Sequence, residues 1–234
     1  MATPTHRLVL TPATIALLCF LGPVLTVHMS YALSIAGGFV AVCIPYLDGC
    51  TSISATGRHG PGYVLFKAGM LLSVWLLIVY WRLCRDWLLE AGDVDGPALR
   101  SLLRLGIAGA LFLALYTVFL GHKGEMYNLL RRFGVSLNLG LTCLAQLLVV
   151  WRLHRLRDRA GETACPAWIL QAKTWLVTVL VLLGLGSIPV SNFIADKDPV
   201  ENAIEWTFCL LMSGFYLLTA LAWRDPGRLA RESS

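Results

Sequence analysis

The chain has 234 residues, of which 57% are apolar and only 14% charged, with a mean hydropathy of +0.68. Soluble domains carry about a quarter charged residues, so this composition excludes an ordinary soluble globular protein and points to an integral membrane protein. The net charge of +5 does not indicate a nucleic-acid partner, because the basic residues fall in short loops between apolar runs, where they act as topology signals.

An apolar window of about 20 residues crosses a hydrocarbon core of roughly 30 Å. Such windows predict six transmembrane helices, at about 8–29, 62–82, 102–121, 134–151, 169–189 and 203–223. Each reads as a helix because backbone groups in lipid must satisfy one another. The expected fold class is therefore all-α: a polytopic membrane protein with six helices in one bundle. Residues 1–234 make one transmembrane domain that ends in a short cytoplasmic tail, 225–234. Pro12 and Pro23 predict a bend in the first helix. Arg7 before an apolar run, with "SYA" at 30–32, resembles a signal peptide. The run is longer than the 7 to 15 residues of a usual signal core, so an uncleaved anchor is expected.

The next run, "LSIAGGFVAVCIPY" at 33–46, is too short to cross and suits a re-entrant or outer-surface segment. With six spans, thirteen of the 19 Lys and Arg residues fall on the side of the termini and of loops 82–104 and 152–173. Five fall on the other side, and Lys67 lies within a span. The positive-inside rule then places both termini in the cytoplasm. Trp81, Trp151, Trp168 and Trp223 fall at the inner boundary, and Tyr63 and Trp206 at the outer one, as interfacial aromatics do.

Polar residues gather at the outer end. The loop "TSISATGRHGP", 51–61, brings Ser54, Arg58 and His59 there. Lys67 follows inside the second span, at the depth that Glu205 reaches in the sixth. The two either pair across the bundle, which lowers the cost of a charge in lipid, or each extends separately to the headgroup layer. "GHKGEMYNLLRRFG", 121–134, adds His122, Glu125, Arg131 and Arg132. Arginine forks suit phosphate or carboxylate; the alternative is that they pair with Glu125 and Asp198 or lie among headgroups. Glu201, Asn202 and Glu205 fall on one helical face and are expected to share a cavity.

His28, His59 and His122 with Asp48, Glu125 and Asp196 form a possible outer metal set, but no HExxH or other compact spacing supports it, and no metal or other cofactor is expected. GxSxG, Walker and GxGxxG motifs are absent. Ser54, His59 and an outer carboxylate are the only hydrolytic trio on offer, and a serine in such a loop more often makes turn hydrogen bonds. Cys43 and Cys50 share the outer side and pair if that compartment oxidises. Cys19, Cys143 and Cys209 are expected in helix packing. Gly106, Gly109, Gly140, Gly184 and Gly214 are expected to let helices approach closely.

The loop "SISATGRHGP" leading into "GYVLFKAGM", and a last helix opened by "ENAIEW", resemble the Frag/DRAM/Sfk family, also called the CWH-like N-terminal domain. The similarity spans about 8–223 and is most specific at Ile53, Ser54, Thr56, Gly57, Pro61, Glu205 and Trp206. Ala55 departs from many eukaryotic members, which carry an acid there, and the compact loops look more like bacterial relatives. The resemblance implies six helices with cytoplasmic termini, and the plasma (inner) membrane if the source is bacterial. Family members are linked to GPI lipid exchange, phospholipid asymmetry and autophagy, and a shared fold does not transfer a function.

The leading expectation is a protein that binds, or helps remodel, a lipid headgroup through an outer cavity. Lys67 and Glu205 would form its floor, with Glu201, Asn202, Ser54, Arg58, His59, His122, Glu125, Arg131 and Arg132 around them. The partner would be a membrane lipid. A lipid hydrolase or acyl-transfer enzyme using the outer His and acidic residues is one alternative, and a non-catalytic scaffold is another.

Overall fold

A computed structural model describes residues 10–160, 164–193 and 197–224. Arg7, Asp196 and the tail from 225 lie outside the described residues. Among the described residues there are eight helices: α1 (Pro12–Ala36), α2 (Pro45–Asp48), α3 (Ile53–Thr56), α4 (Gly60–Glu90), α5 (Pro97–Phe119), α6 (Glu125–Ala160), α7 (Ala167–Phe193) and α8 (Asp198–Trp223). The six long ones are long and apolar enough to cross a membrane. The chain is an all-helical, multi-pass membrane protein.

Proline starts these helices more often than it disturbs them. Pro12, Pro61, Pro97 and Pro199 stand at the first or second helical position. A missing N–H costs nothing there and the fixed φ is already helical. Pro12 thus opens α1 behind a Thr11 cap instead of bending it, while Pro23 alone sits inside that helix. Glycines at positive φ follow two of the helix ends, Gly92 after α4 and Gly121 after α5. At 31 residues, α4 is about 46 Å long at 1.5 Å per residue, so it extends beyond any hydrocarbon core. The 33–46 run does not cross: α1 takes it up to Ala36, and the remainder is loop and the single turn of α2.

Each long helix packs against its neighbours in sequence, and α8 returns to α1, so the six close into a ring. Without a hydrophobic drive between helices in lipid, close van der Waals contact holds such a ring. Gly106 of α5 lies against the Trp81 ring of α4, and a side-chain carbon at Gly134 would stand 2.9 Å from the Tyr116 backbone nitrogen of α5. Gly109 faces Thr142 in the same way, at 2.7 Å. The other glycines expected at contacts do less. Gly140 has nothing within 4 Å, and Gly184 and Gly214 meet only ordinary contacts, with Phe208 and Leu176. Trp75, Leu111, Trp175 and Leu182 point outward and exposed, as a lipid-facing surface requires. Trp81 and Trp206, expected in interfacial belts, are instead in the core, because a flat ring fills the space a facing glycine or loop leaves.

The end bearing the 82–104 and 152–173 loops is tied by buried charge. Arg152 Nε donates to Asp93 Oδ2 at 2.6 Å, and a second guanidinium N–H reaches the other oxygen. Arg85 holds Asp95 at 2.8 Å. Lys173, one of the charges assigned to the 152–173 loop, is buried completely, since α7 begins at Ala167 and carries it inside the ring. Its ammonium donates to Thr219 at 2.5 Å and sits 3.7 Å from the centre of the Phe215 ring.

Candidate functional site

The end opposite the 82–104 and 152–173 loops is covered by a lid, residues 37–59, which links α1 to α4 through α2 and α3. A Cys43–Cys50 disulfide closes its middle, with Cα atoms 6.5 Å apart. Two long helices hold it down. From α1, Tyr31 donates to the Cys43 carbonyl (3.0 Å) and Ser34 to the Thr56 carbonyl (2.6 Å). From α8, Asn202 donates to the Gly49 carbonyl (2.8 Å) and Trp206 Nε1 to the Thr51 carbonyl (2.9 Å). Glu205 completes the clasp by accepting the Ile53 N–H at Oε2, 3.3 Å. The irregular lid backbone is thus satisfied by side chains, as buried polar backbone must be.

Beneath the lid lies a cavity walled by α1, α4, α5, α6 and α8. Its wall is mostly apolar: Val27, Phe66, Met70, Leu113, Leu139 and Met212 are representative. His28 and Leu210 on that wall are exposed, so it is not sealed.

Near the lid the wall turns polar and aromatic. The Trp206 ring meets His28, Tyr31 and Tyr46 edge-on, with centroids 5.4 to 5.7 Å away. His28 Nδ1 bonds the Val24 carbonyl at 2.7 Å and Nε2 the Tyr46 hydroxyl at 3.0 Å, the proton's position following the tautomer. Burial raises the Tyr46 phenol above its ordinary range, with a contribution from Cys209, so it stays protonated at neutral pH. Glu205 is the carboxylate on this wall. Its Oε1 has no partner among the described residues.

The structure separates several residues that the sequence grouped. Lys67 does not meet Glu205 and does not line the cavity. Its ammonium donates to Tyr63 one turn earlier (2.6 Å) and to the Val118 carbonyl (3.0 Å), and stands over the Tyr63 ring. A partner at i−4 on its own helix is in reach without a crossing of the bundle. Asn202 is spent on the lid, and Glu201 faces Lys197 at 3.7 Å; neither lines the cavity. Ser54 accepts from Arg58 at 2.7 Å, while His59 stacks on Phe39, so these two make no hydrolytic pair. His122 packs against Phe119 and Tyr127, Glu125 is exposed in the first turn of α6, and Arg132 is exposed. Arg131 bonds Asn128 and the His122 carbonyl. No carboxylate lies within 4.0 Å of Arg58, Arg131 or Arg132 among the described residues, and no group of three metal-ligating side chains occurs among them.

Arg58 and Arg131 do not line the cavity either. Sequence reasoning did not find Tyr46, Tyr116, Asn138 or Thr142, all of which line the cavity. Asn138, an amide in an apolar span, was the available signal. Compared with protein-family models, curated proteins and solved structures, the chain has no match.

Proposed function

We propose that this protein binds a membrane lipid in the cavity beneath the lid, with the head at Glu205 and a chain running down between the helices. The observation that carries the reading is one carboxylate, with a free oxygen, on a mostly apolar, unsealed wall. An ionisable group inside a transmembrane bundle is costly unless it has a task. Arg58 and Arg131, both without a carboxylate partner among the described residues, are the groups that would take a lipid phosphate, since guanidinium forks match phosphate geometry. Lys67 drops out of this site.

A place in the Frag/DRAM/Sfk family is part of the proposal. What supports it is convergence: Ile53 and the neighbouring Thr51 of the lid meet Glu205 and Trp206 of α8 directly, although some 150 positions separate them.

Native mass spectrometry of detergent-purified protein tests the reading. The wild type is expected to retain lipid, Glu205→Ala to lose most of it, and Cys209→Trp, which fills the cavity from α8, to lose nearly all. Glu201→Gln outside the cavity should change nothing. Equal lipid on all four proteins contradicts the proposal.

A further inference from the structure

The cavity holds more polarity than a head and an alkyl chain require. Tyr116 of α5 is 4% exposed, and its hydroxyl is buried without any hydrogen-bond partner. Asn138 and Thr142 of α6 are 7% and 3% exposed, and neither side chain has a hydrogen-bond partner among the described residues. All three line the same cavity. Thr142 Oγ1 also faces the close approach to Gly109, which leaves Tyr116 and Asn138 as the principal pair.

An unsatisfied polar group in a bilayer is a standing penalty, so the orphaned Tyr116 hydroxyl and the Asn138 amide on one cavity wall ask for a common partner. Their heights identify it. Tyr116 packs in one cluster with Ile53 and Trp206 beneath the lid, and its backbone lies against Gly134 of α6. Asn138 is four residues further along α6 from Gly134, about 6 Å deeper. Both carry N–H or O–H donors. Below a lipid head, the group at that depth which only accepts hydrogen bonds is the carbonyl of the chain's ester or amide linkage.

We infer that Tyr116 and Asn138 form a second, deeper recognition element that reads the linkage carbonyl of an acylated lipid, in addition to whatever the outer residues do with its head. The inference rests on the lipid-binding reading above. It makes the ligand class acyl-linked lipids, ester or amide, and sets ether-linked lipids apart as poor ligands. No bond is made or broken.

The test holds the head constant and changes the linkage. Detergent-purified wild type is offered three probes in native mass spectrometry: dioleoyl phosphatidylethanolamine, its dialkyl ether counterpart, and ceramide phosphoethanolamine, whose chain is amide-linked. Loss of one or two hydrogen bonds to buried donors corresponds to about tenfold or more in affinity. The diester is expected to bind at least about tenfold more tightly than the diether, and the ceramide probe reports whether an amide serves equally. Asn138→Leu and Tyr116→Phe are expected to bring the ester-to-ether ratio towards one by weakening the ester probe alone. Equal binding of diester and diether by the wild type overturns the inference and leaves the lipid-binding reading standing. Binding of none of the probes overturns both. The wild-type comparison needs no variant, so it decides the matter even if either substitution misfolds.

Discussion

Asp93 and Arg152 bring opposite charges together from different elements, a loop and α6, with side chains 1% and 9% exposed. A buried pair of this kind contributes little over an apolar replacement, but removing one member strands the other. Asp93→Asn is expected to cost about 3–5 kcal/mol and lower the thermal midpoint in detergent, whereas joint replacement of Asp93 and Arg152 by leucine should recover most of it. A melting curve for Asp93→Asn that overlays the wild type would show that the pair bears no such weight. At this scale the sequence was least legible. Depth along a helix can be counted from its first residue, and that count placed Lys67 and Glu205 level; rotation about the axis and the side chain's reach cannot. Lys67 turned to Tyr63 on its own helix, and Lys173, counted as a loop charge, entered the core because α7 starts before it.

Elements were far more legible, because apolar length against bilayer thickness is a strong constraint. All six windows are helices, and the short 33–46 run stays on one side. Helix ends moved outward where polar residues carry the helix past the hydrocarbon, as in α4 and α6, since hydropathy reports lipid contact and not backbone conformation. Cys43–Cys50 formed, but the lid's docking on α8 had no signal except the unusual polarity of Asn202 and Glu205. That docking depends on Gly49, which has φ +58 and whose added Cβ would stand 2.5 Å from the Pro199 carbonyl carbon. Gly49→Ala therefore meets both left-handed strain of about 1–2 kcal/mol and a backbone collision. Amides of 41–53 are expected to exchange hydrogen several-fold faster in this variant, with the long helices unchanged. Unaltered exchange in that segment would mean the lid does not need its seat on α8.

For the whole molecule, ring closure is the feature that creates a site. Five helices contribute wall to one cavity, and only their order and mutual rotation decide that Tyr116, Asn138 and Glu205 face it while Trp75 and Trp175 face out. Periodicity in these spans is weak, since both lipid-facing and core-facing positions are apolar, so no sequence pattern separates inside from outside as it does in a soluble helix. Lipid occupancy of the interior is the claim on which the function rests, and photocrosslinking reads it most directly. A phospholipid with a photoactivatable group on its chain, reconstituted with the protein and mapped by peptide mass spectrometry, is expected to label Met70, Leu139 and Met212, and to stop doing so in Cys209→Trp. Labelling confined to outward residues such as Trp75, Trp175 and Leu182, and unchanged by Cys209→Trp, would contradict the account.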